Sequence, residues 1–295
     1  YNDGAQPVAG AAAELRLPDS VVLTDGPSAR SFDTVEPGQA ALVSWEVRTA
    51  DAGVHELPVM VRGGGLDSTL TRRVYVSERP AVIAARGDVV LANSRVRAVF
   101  VRNSFGYGRC HLSRFHAQTR RWLPLAQMRS LSRLVSGTRD ADLDVYADRY
   151  ELLAGPEGAC GVRFRARVTD GAGVPWDMAL TFSLAEGSDM LEVLYKATPQ
   201  ADTPLYRLEG PMLRVGEGSF GKAKEAAVFP GLEYLQYDKD SSSLRDFTNE
   251  WRFRMAPHPY RVTIPAISVT CQHSTVGVLW DIQQRWDGVQ GFPTA

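Results

Sequence analysis

Residues 145–198 decide the fold: VYADRYELLAGPEGACGVRFRARVTDGAGVPWDMALTFSLAEGSDMLEVLYKAT. Segments in which apolar and polar residues alternate are separated by three glycine-containing turn sequences, at 155–158, 170–173 and 186–189. Alternation with a period of two is typical of a β-strand with one buried face, and glycine beside proline, aspartate or serine marks turns. The stretch therefore predicts a meander of long antiparallel strands.

The second strand of this meander has two chemically different faces. Four apolar residues alternate with three arginines, and the two sets are Val162, Phe164, Ala166 and Val168, and Arg163, Arg165 and Arg167. The apolar set predicts a core contact. The arginines face either an anionic polymer, such as a uronate or sulfated glycan, or simply solvent.

The composition is typical of a globular protein. The 295 residues are 44% hydrophobic and 23% charged, with a net charge of -1. Since no basic excess is present, nucleic acid is not expected as a partner, and no apolar run is long enough to span a bilayer. The chain begins at Tyr1 rather than at a methionine and ends at Ala295, so we expect both ends to be boundaries within a longer protein.

Cysteine spacing argues against a zinc site. Cys110, Cys160 and Cys271 are far apart and form no Cys-x-x-Cys pair. Two alternatives remain, namely three buried thiols or one disulfide with one free thiol.

A change of pattern at residues 77–80 divides the chain into two β domains. Residues 1–13 are small and polar, which predicts a linker or a processed end. Residues 14–79 contain short alternating segments at regular spacing, which predict a small β-sandwich. Residues 80–295 contain longer ones, which predict one large domain built from two antiparallel sheets.

Two segments of the first domain carry specific expectations about its core. One runs from 41 to 48 after a turn at 36–39, and the other closes the domain at 68–78. The residues expected to point inward are Ala41, Val43, Trp45 and Val47 in the first segment, and Leu70, Val74 and Val76 in the second.

The phrase VEPGQAALVSWEVRTADAGVHELPVMV, residues 35–61, resembles the immunoglobulin-like spacer modules of bacterial extracellular proteins. The resemblance implies an immunoglobulin-like sandwich at 14–79, whose usual role is to space or orient a neighbouring domain.

The second domain resembles the galactose-mutarotase-like β-supersandwich of bacterial polysaccharide-active enzymes. The phrases DVVLANSRVRAVFVR, VTDGAGVPWDMALTFSLAEGSDMLEVLY, FPGLEYL and PHPYRVTIPAISV carry this resemblance. It implies an all-β supersandwich at 80–295, truncated at its C-terminus, in a protein that is extracellular or on the cell surface. In many such enzymes this domain precedes a helical catalytic domain, so we expect the main glycoside hydrolase or lyase machinery beyond residue 295.

Acidic residues concentrate in the segment 208–243, LEGPMLRVGEGSFGKAKEAAVFPGLEYLQYDKDSSS. It has no clear strand or helix period, which predicts an ordered irregular loop that displays carboxylates. Glycoside hydrolysis needs one protonated and one ionised carboxylate across the scissile bond, so Glu209 and Glu233 are candidate catalytic residues. Alternatively, the acids cap turns, face solvent or pair with the cations of the same region, Arg214, Lys222 and Lys224.

Two further features of this region suggest chemistry. Glu233, Asp238 and Asp240, with loop carbonyls, form an oxygen-rich set that would suit a calcium ion. His258 lies between two prolines and close to Arg261, so it is a candidate catalytic base of a lyase. The alternative for His258 is an exposed side chain on a rigid turn.

Aromatic residues near charged ones suggest a sugar-binding surface, since sugar rings stack on aromatic faces. Trp251, Trp286 and Tyr234, together with Arg261, are the candidate substrate-binding residues. The alternative for each aromatic residue is ordinary core packing.

Two main functions remain open from the sequence, with a metal-stabilised sugar-binding module without catalysis as a third. The first is a carbohydrate-binding and processing part of a secreted bacterial polysaccharide-degrading enzyme, with a polysaccharide or oligosaccharide as its ligand. The second is a structural or assembly subunit of the bacterial cell envelope, with other envelope proteins as its partners. Clustered carboxylates beside exposed aromatics would favour the first, and a flat apolar patch would favour the second.

Overall fold

The chain folds entirely into antiparallel β-sheets within the part that the structure covers. The computed structural model describes residues 2–51, 53–76, 80–85, 87–119, 121–154, 159–210, 213–215, 224–231, 233–237, 263–271 and 274–281. These residues form 23 strands and no helix, which confirms the prediction of an all-β chain. It follows that no helix in these ranges could cross a membrane.

The chain divides into two compact units, Tyr1–Glu78 and Arg79–Ala295. Unit 1 has a four-stranded sheet in the order β3-β1-β5-β6 and a two-stranded sheet, β2-β4. Leu15, Val21 and Leu57 form a cluster of buried apolar residues, and Trp45, Val47 and Val74 are among those that pack around them. The strands are β1 (Val8–Leu15), β2 (Val22–Asp25), β3 (Ala29–Val35), β4 (Glu46–Arg48), β5 (Gly53–Gly63) and β6 (Leu66–Val76).

Three expectations for unit 1 need correction. Residues 8–13, predicted as linker, belong to β1, because their backbone pairs with β3 on one side and, from Ala12 onward, with β5 on the other. Only Glu46–Arg48 of the predicted strand 41–48 is a strand. The alternation of its faces is confirmed, since Leu42 is 80% exposed and the residues predicted to point inward are partly buried, namely Ala41, Val43, Trp45 and Val47. Leu70 is also half exposed, because it lies on an outer strand of the sheet, away from the small core.

The described residues of unit 2 form four sheets. Their strand orders are β19-β11-β10-β9-β8-β7, β14-β15-β16-β17, β13-β12-β18 and β21-β20-β22-β23. The strands are β7 (Ala81–Ala85), β8 (Asp88–Ala92), β9 (Val96–Asn103), β10 (Gly106–His116), β11 (Arg121–Met128), β12 (Ser132–Ser136), β13 (Asp142–Val145), β14 (Arg149–Ala154), β15 (Cys160–Thr169), β16 (Pro175–Leu184), β17 (Leu191–Pro199), β18 (Leu205–Glu209), β19 (Leu213–Val215), β20 (Ala226–Phe229), β21 (Glu233–Gln236), β22 (Ala266–Cys271) and β23 (Ser274–Leu279).

The core of unit 2 lies between the six-stranded and the β14–β17 sheets. The Phe100 ring on β9 lies 4.7 Å from the ring of Phe164 and 4.8 Å from that of Phe182, measured between centroids. All three rings are fully buried. The predicted inward face of β15 is confirmed, since Val162 and Phe164 are fully buried and Ala166 is 6% exposed. Contact between two packed sheets gives this unit its β-sandwich character.

The segment 208–243, predicted as an irregular loop, contains strand residues. Glu209 ends β18, and β19, β20 and β21 all lie within the segment. β19 pairs with β11, while β20 lies between β21 and β22. Two or three apolar residues are enough for a strand when neighbouring strands supply the hydrogen bonds, and this tertiary contribution has no signature in the local sequence.

All three cysteines are free and buried. This selects the three-thiol alternative over a disulfide. Burial raises the pKa of the Cys160 thiol to about 11 and also raises the pKa values of the Cys110 and Cys271 thiols. They therefore behave as small apolar core residues at neutral pH.

Candidate functional site

The three-stranded sheet β13-β12-β18 carries charged residues on one face and apolar residues on the other. In the β18 sequence Leu-Tyr-Arg-Leu-Glu, Leu208 packs against the core of unit 2. Arg207 and Glu209 point the opposite way because side chains alternate along a strand. On the central strand, Leu134 is likewise fully buried and Arg133 is partly exposed. Strand alternation thus separates a core face from an ionic face.

Cross-strand register brings five charged side chains together on this ionic face. Arg133 is paired through the backbone with Asp144 on one side and with Glu209 on the other. In the next row, Val135 is paired with Asp142 and with Arg207. We call the five charged residues the charge grid: Arg133, Asp142, Asp144, Arg207 and Glu209.

Every member of the charge grid makes an ion pair within it. The Arg133 guanidinium contacts Asp142 closely and lies 3.8 Å from Asp144 and 3.6 Å from Glu209. Arg207 lies 3.0 Å from Glu209 and 3.4 Å from Asp142. Two guanidinium groups thus face three carboxylates, and each carboxylate has oxygen atoms close to a cation.

The charge grid is only partly open to solvent. Its side chains are between 24% and 36% exposed. Val135, which lies among them in the register, is 4% exposed. The Ser130 hydroxyl donates a hydrogen bond of 3.0 Å to Asp144. Ion pairs with reduced hydration hold their geometry better than fully exposed pairs do, so the charge grid is a pre-organised polar surface.

A β-bulge lies at the end of the charge grid. Val135 is paired with Arg207, but the next residue, Ser136, is paired with Leu205, so Tyr206 is the extra residue of β18. Tyr206 is 46% exposed, and the Arg139 guanidinium lies 5.4 Å from the centre of its ring. Bulges redirect side chains and are frequent beside functional sites. This one leaves an exposed aromatic ring next to the charged array in sequence.

A buried carboxylate fixes the same end of β12. The Asp170 carboxylate accepts hydrogen bonds from the Ser136 hydroxyl at 3.0 Å, the Thr203 hydroxyl at 2.6 Å and the Trp176 indole N–H at 3.2 Å. Two backbone N–H groups, at residues 172 and 174, donate to its other oxygen at 2.9 Å each. Burial by itself would raise the pKa of Asp170, but the hydrogen bonds from Thr203, the N–H of residue 174, Trp176 and Ser136 outweigh it and hold the pKa well below its usual range.

Of the predicted site residues, Glu209 is the one in the charge grid. Its ion-pair partners, Arg133 and Arg207, differ from the cations named from the sequence, Arg214, Lys222 and Lys224. Sequence reasoning missed both arginines: Arg133 meets Glu209 through strand pairing, and Arg207 lies two residues before it on the same strand. The signal in the chain was the alternation in residues 205–209, which places Arg207 and Glu209 on one face.

Two further predicted residues lie on a different sheet. Glu233 begins β21, where its backbone pairs with Phe229. Tyr234 is 64% exposed, and its hydroxyl accepts a hydrogen bond of 3.4 Å from the Gln236 amide. Glu209 and Glu233 thus belong to separate sheets. The remaining predicted residues lie outside the described ranges: Asp238, Asp240, Trp251, His258, Arg261 and Trp286.

Carboxylates pair with the arginine stripe on β15. Glu151 lies 2.8 Å from Arg165 and 3.4 Å from Arg163, and Asp177 lies 3.9 Å from Arg167. The hydrogen bond from Arg165 is the largest of the effects that lower the pKa of Glu151. This pairing favours the interpretation of the stripe as a solvated strand face over that of an anion-binding surface.

No group of three or more histidine, cysteine, aspartate or glutamate side chains has a metal-binding arrangement within the ranges given above. The charge grid contains three carboxylates, but its two guanidinium groups occupy the positions that a cation would need. The calcium ligands predicted at Asp238 and Asp240 lie outside those ranges.

Comparison with known proteins gives no assignment: no protein-family model matches the chain, and no curated protein matches it.

Proposed function

We propose that the protein binds a polysaccharide or oligosaccharide, as the carbohydrate-binding and processing part of a secreted bacterial polysaccharide-degrading enzyme. The observation that supports this best is the charge grid, a partly buried array of two guanidinium groups and three carboxylates, which the exposed aromatic residue Tyr206 adjoins in sequence at the β-bulge. The proposed binding surface of the protein is the ionic face of the β13-β12-β18 sheet.

The chemistry of this face suits sugar hydroxyl groups. Each hydroxyl both donates and accepts a hydrogen bond, and the face offers carboxylate acceptors and guanidinium donors a few ångströms apart. Charge-assisted hydrogen bonds are the stronger kind, and the ion pairs already fix the side chains before a ligand arrives. Tyr206 adds an aromatic ring on which a pyranose can stack.

Within this proposal, the charge grid binds and orients the sugar, and another part of the enzyme cleaves it. A glycosidase needs a carboxyl group that can protonate the leaving oxygen. Both oxygens of Glu209 face guanidinium groups, so its carboxylate is placed to accept hydrogen bonds from a ligand. Cleavage then belongs to the other proposed residues, Glu233 and His258, or to a domain beyond Ala295. Calcium at Glu233, Asp238 and Asp240 remains part of the proposal.

The test is a binding assay of the full chain against soluble polygalacturonate, xylan and β-glucan, with and without EDTA. Binding to at least one polymer should weaken about tenfold in Tyr206→Ala and in Glu209→Gln, a change of about 1.4 kcal/mol. The matched controls are Phe105→Ala, which removes another exposed aromatic ring, and Glu192→Gln, which changes an exposed acid on β17. Both controls should bind like the wild type. If binding is unchanged in Tyr206→Ala and Glu209→Gln but lost in Tyr234→Ala, the binding site lies on the β21 sheet instead.

One observation favours assembly in the cell envelope as a second candidate function. Leu66 and Leu70 lie four residues apart on β6, an outer strand of its sheet, and are 57% and 50% exposed. Residues at even spacing point to the same face, so the two leucines form an apolar pair beside a strand edge that pairs with no other strand in the described part of the chain. Under this alternative, the mass of the protein in solution exceeds that of a monomer, and Leu70→Lys returns it to the monomer value.

A further inference from the structure

Unit 1 holds a serine and a histidine in fixed positions next to each other. Ser20 lies in a turn closed by the hydrogen bond from the Val21 N–H to the Pro18 carbonyl, at 2.9 Å. Val21 is 5% exposed and anchors this turn in the core. His55 lies on the inward face of β5, two residues before the buried Leu57, and is 9% exposed. Both residues are therefore held by buried neighbours.

The hydrogen bonds of His55 determine the roles of its two ring nitrogens. Nε2 lies 2.9 Å from the Asp51 carbonyl oxygen, and because a carbonyl can only accept, Nε2 carries the proton. In the neutral ring, Nδ1 then has a free lone pair. The Ser20 hydroxyl lies 3.3 Å from Nδ1 and is its hydrogen-bond donor. This is the arrangement of a hydroxyl nucleophile, a general base and a group that orients the base.

A cavity of about 250 Å³ has His55 in its wall, together with Val21, the residue that follows Ser20. Most of the lining is aliphatic, and the residues are Val21, Val47, Arg48, Thr49, His55, Leu57, Val74 and Val76. An apolar cavity of this size suits a short acyl chain better than a sugar, whose hydroxyl groups would lack partners there.

We propose that Ser20 and His55 form an acyl-transfer site that hydrolyses esters of short acyl groups. The Ser20 oxygen bonds to the ester carbonyl carbon while its proton passes to His55 Nδ1. The C–O bond to the alcohol then breaks, and the alcohol leaves with that proton. Water, deprotonated by His55, attacks the acyl-serine in turn and releases the carboxylic acid and the free Ser20 hydroxyl.

Two features of unit 1 assist this reaction. The Nε2–H bond to the Asp51 carbonyl stabilises the imidazolium that forms when Nδ1 takes the proton. The backbone N–H groups of Asp19 and Ser20 donate to no acceptor within the described part of the chain, so they are open to the developing oxyanion. Ser20 is itself partly exposed, so a substrate can reach it. The inference concerns unit 1 and does not rest on the proposed carbohydrate function.

The experiment combines covalent labelling with a rate measurement on the full chain. A fluorophosphonate probe should modify the native protein at Ser20, as mapped by peptide mass spectrometry, and 4-nitrophenyl butyrate should be hydrolysed. Ser20→Ala should abolish both signals. His55→Gln should lower the hydrolysis rate by at least about 100-fold, the usual contribution of a general base. The matched control, Ser44→Ala, removes an exposed serine of the same unit and should leave both signals unchanged.

A purely structural role for His55 gives different results. In that case, the fluorophosphonate probe modifies Ser20 no more than it modifies Ser44, and the hydrolysis rate of Ser20→Ala equals that of the wild type. Either result would overturn the assignment. A Ser20→Cys variant provides a readout that does not depend on turnover. Iodoacetamide should alkylate Ser20→Cys faster than Ser44→Cys, and adding His55→Gln should remove this difference. Equal alkylation rates for the two cysteine variants would contradict the base role of His55.

Discussion

Truncation of Phe164 tests whether the fold rests on the contact between the two large sheets of unit 2. Phe164 is fully buried on β15, and its ring centre lies 4.7 Å from that of Phe100, 5.4 Å from that of Tyr107 and 6.0 Å from that of Phe182. Phe164→Ala therefore removes a ring that bridges the sheets, and leaves a cavity that the surrounding β-sandwich cannot easily fill.

The expected loss of stability follows from burial and ring contacts. A buried phenylalanine changed to alanine costs about 3–5 kcal/mol. Three close aromatic neighbours place Phe164 in the upper half of that range, at about 4–5 kcal/mol, since each such pair adds about 0.5–1.5 kcal/mol to area burial. With a urea dependence of about 3 kcal/mol/M for a domain of this size, the midpoint of unfolding should fall by about 1.3–1.7 M.

The assay is urea unfolding followed by circular dichroism and tryptophan fluorescence. Phe164→Leu keeps much of the apolar volume but loses the ring contacts, so it should cost less than Phe164→Ala and remains measurable if the alanine variant does not fold. Phe105→Ala, at a residue that is 74% exposed, is the matched control and should leave the midpoint unchanged. A shift below 0.5 M for Phe164→Ala, or an equal shift for Phe105→Ala, would refute the reasoning.

Three further predictions concern acid stability, a glycine and the thiols. Because the pKa of Asp170 is lower in the folded than in the unfolded chain, the ionised carboxylate stabilises the fold above about pH 4, and this contribution is lost as the pH falls below that value. In a plot of melting temperature against pH, Asp170→Asn should therefore reduce the loss of stability on the acid side. An unchanged loss would contradict this. Gly137 has a φ of +75°, and an added Cβ would collide with the backbone nitrogen of Ala172. Gly137→Ala should therefore lower the free energy of unfolding, measured in urea, by more than about 1 kcal/mol. A neutral effect would show that the turn relaxes. Ellman's reagent should react with about three thiols after denaturation and with fewer than one in the native protein, and rapid native reaction would contradict the burial of Cys110, Cys160 and Cys271.

Strand rhythm made the core of unit 2 predictable, and the errors in unit 1 have two different causes. Val162 and Phe164 alternate with arginines over many residues, so their inward direction could be predicted from the sequence. Residues 8–13 are mostly alanine and glycine, which carry no periodic signal, and their strand exists because β3 and β5 supply hydrogen bonds. Leu42 belongs to an alternating stretch, but no partner strand pairs with it in the described structure, and a pattern without a partner does not make a strand.

The candidate site could be predicted only in part, for a related reason. The acidic character of Glu209 was visible, but its partner Arg133 comes from β12, which is distant in the chain. Arg207 and Asp142, which are 65 residues apart, form another ion pair of the charge grid. Non-local pairing of this kind depends on sheet order, which one sequence does not specify. The bulge at Tyr206 depends on the register between β12 and β18, which the local sequence likewise does not specify.

The central claim is that carbohydrate binds to the ionic face of the β13-β12-β18 sheet. The most direct measurement is hydrogen–deuterium exchange of the full chain with and without whichever of polygalacturonate, xylan or β-glucan it binds best. We expect slower exchange in peptides covering 132–145 and 205–209, and no change in those covering β1 or β5 of unit 1. Absence of binding to all three polymers, or protection confined to peptides outside this sheet, would contradict the account.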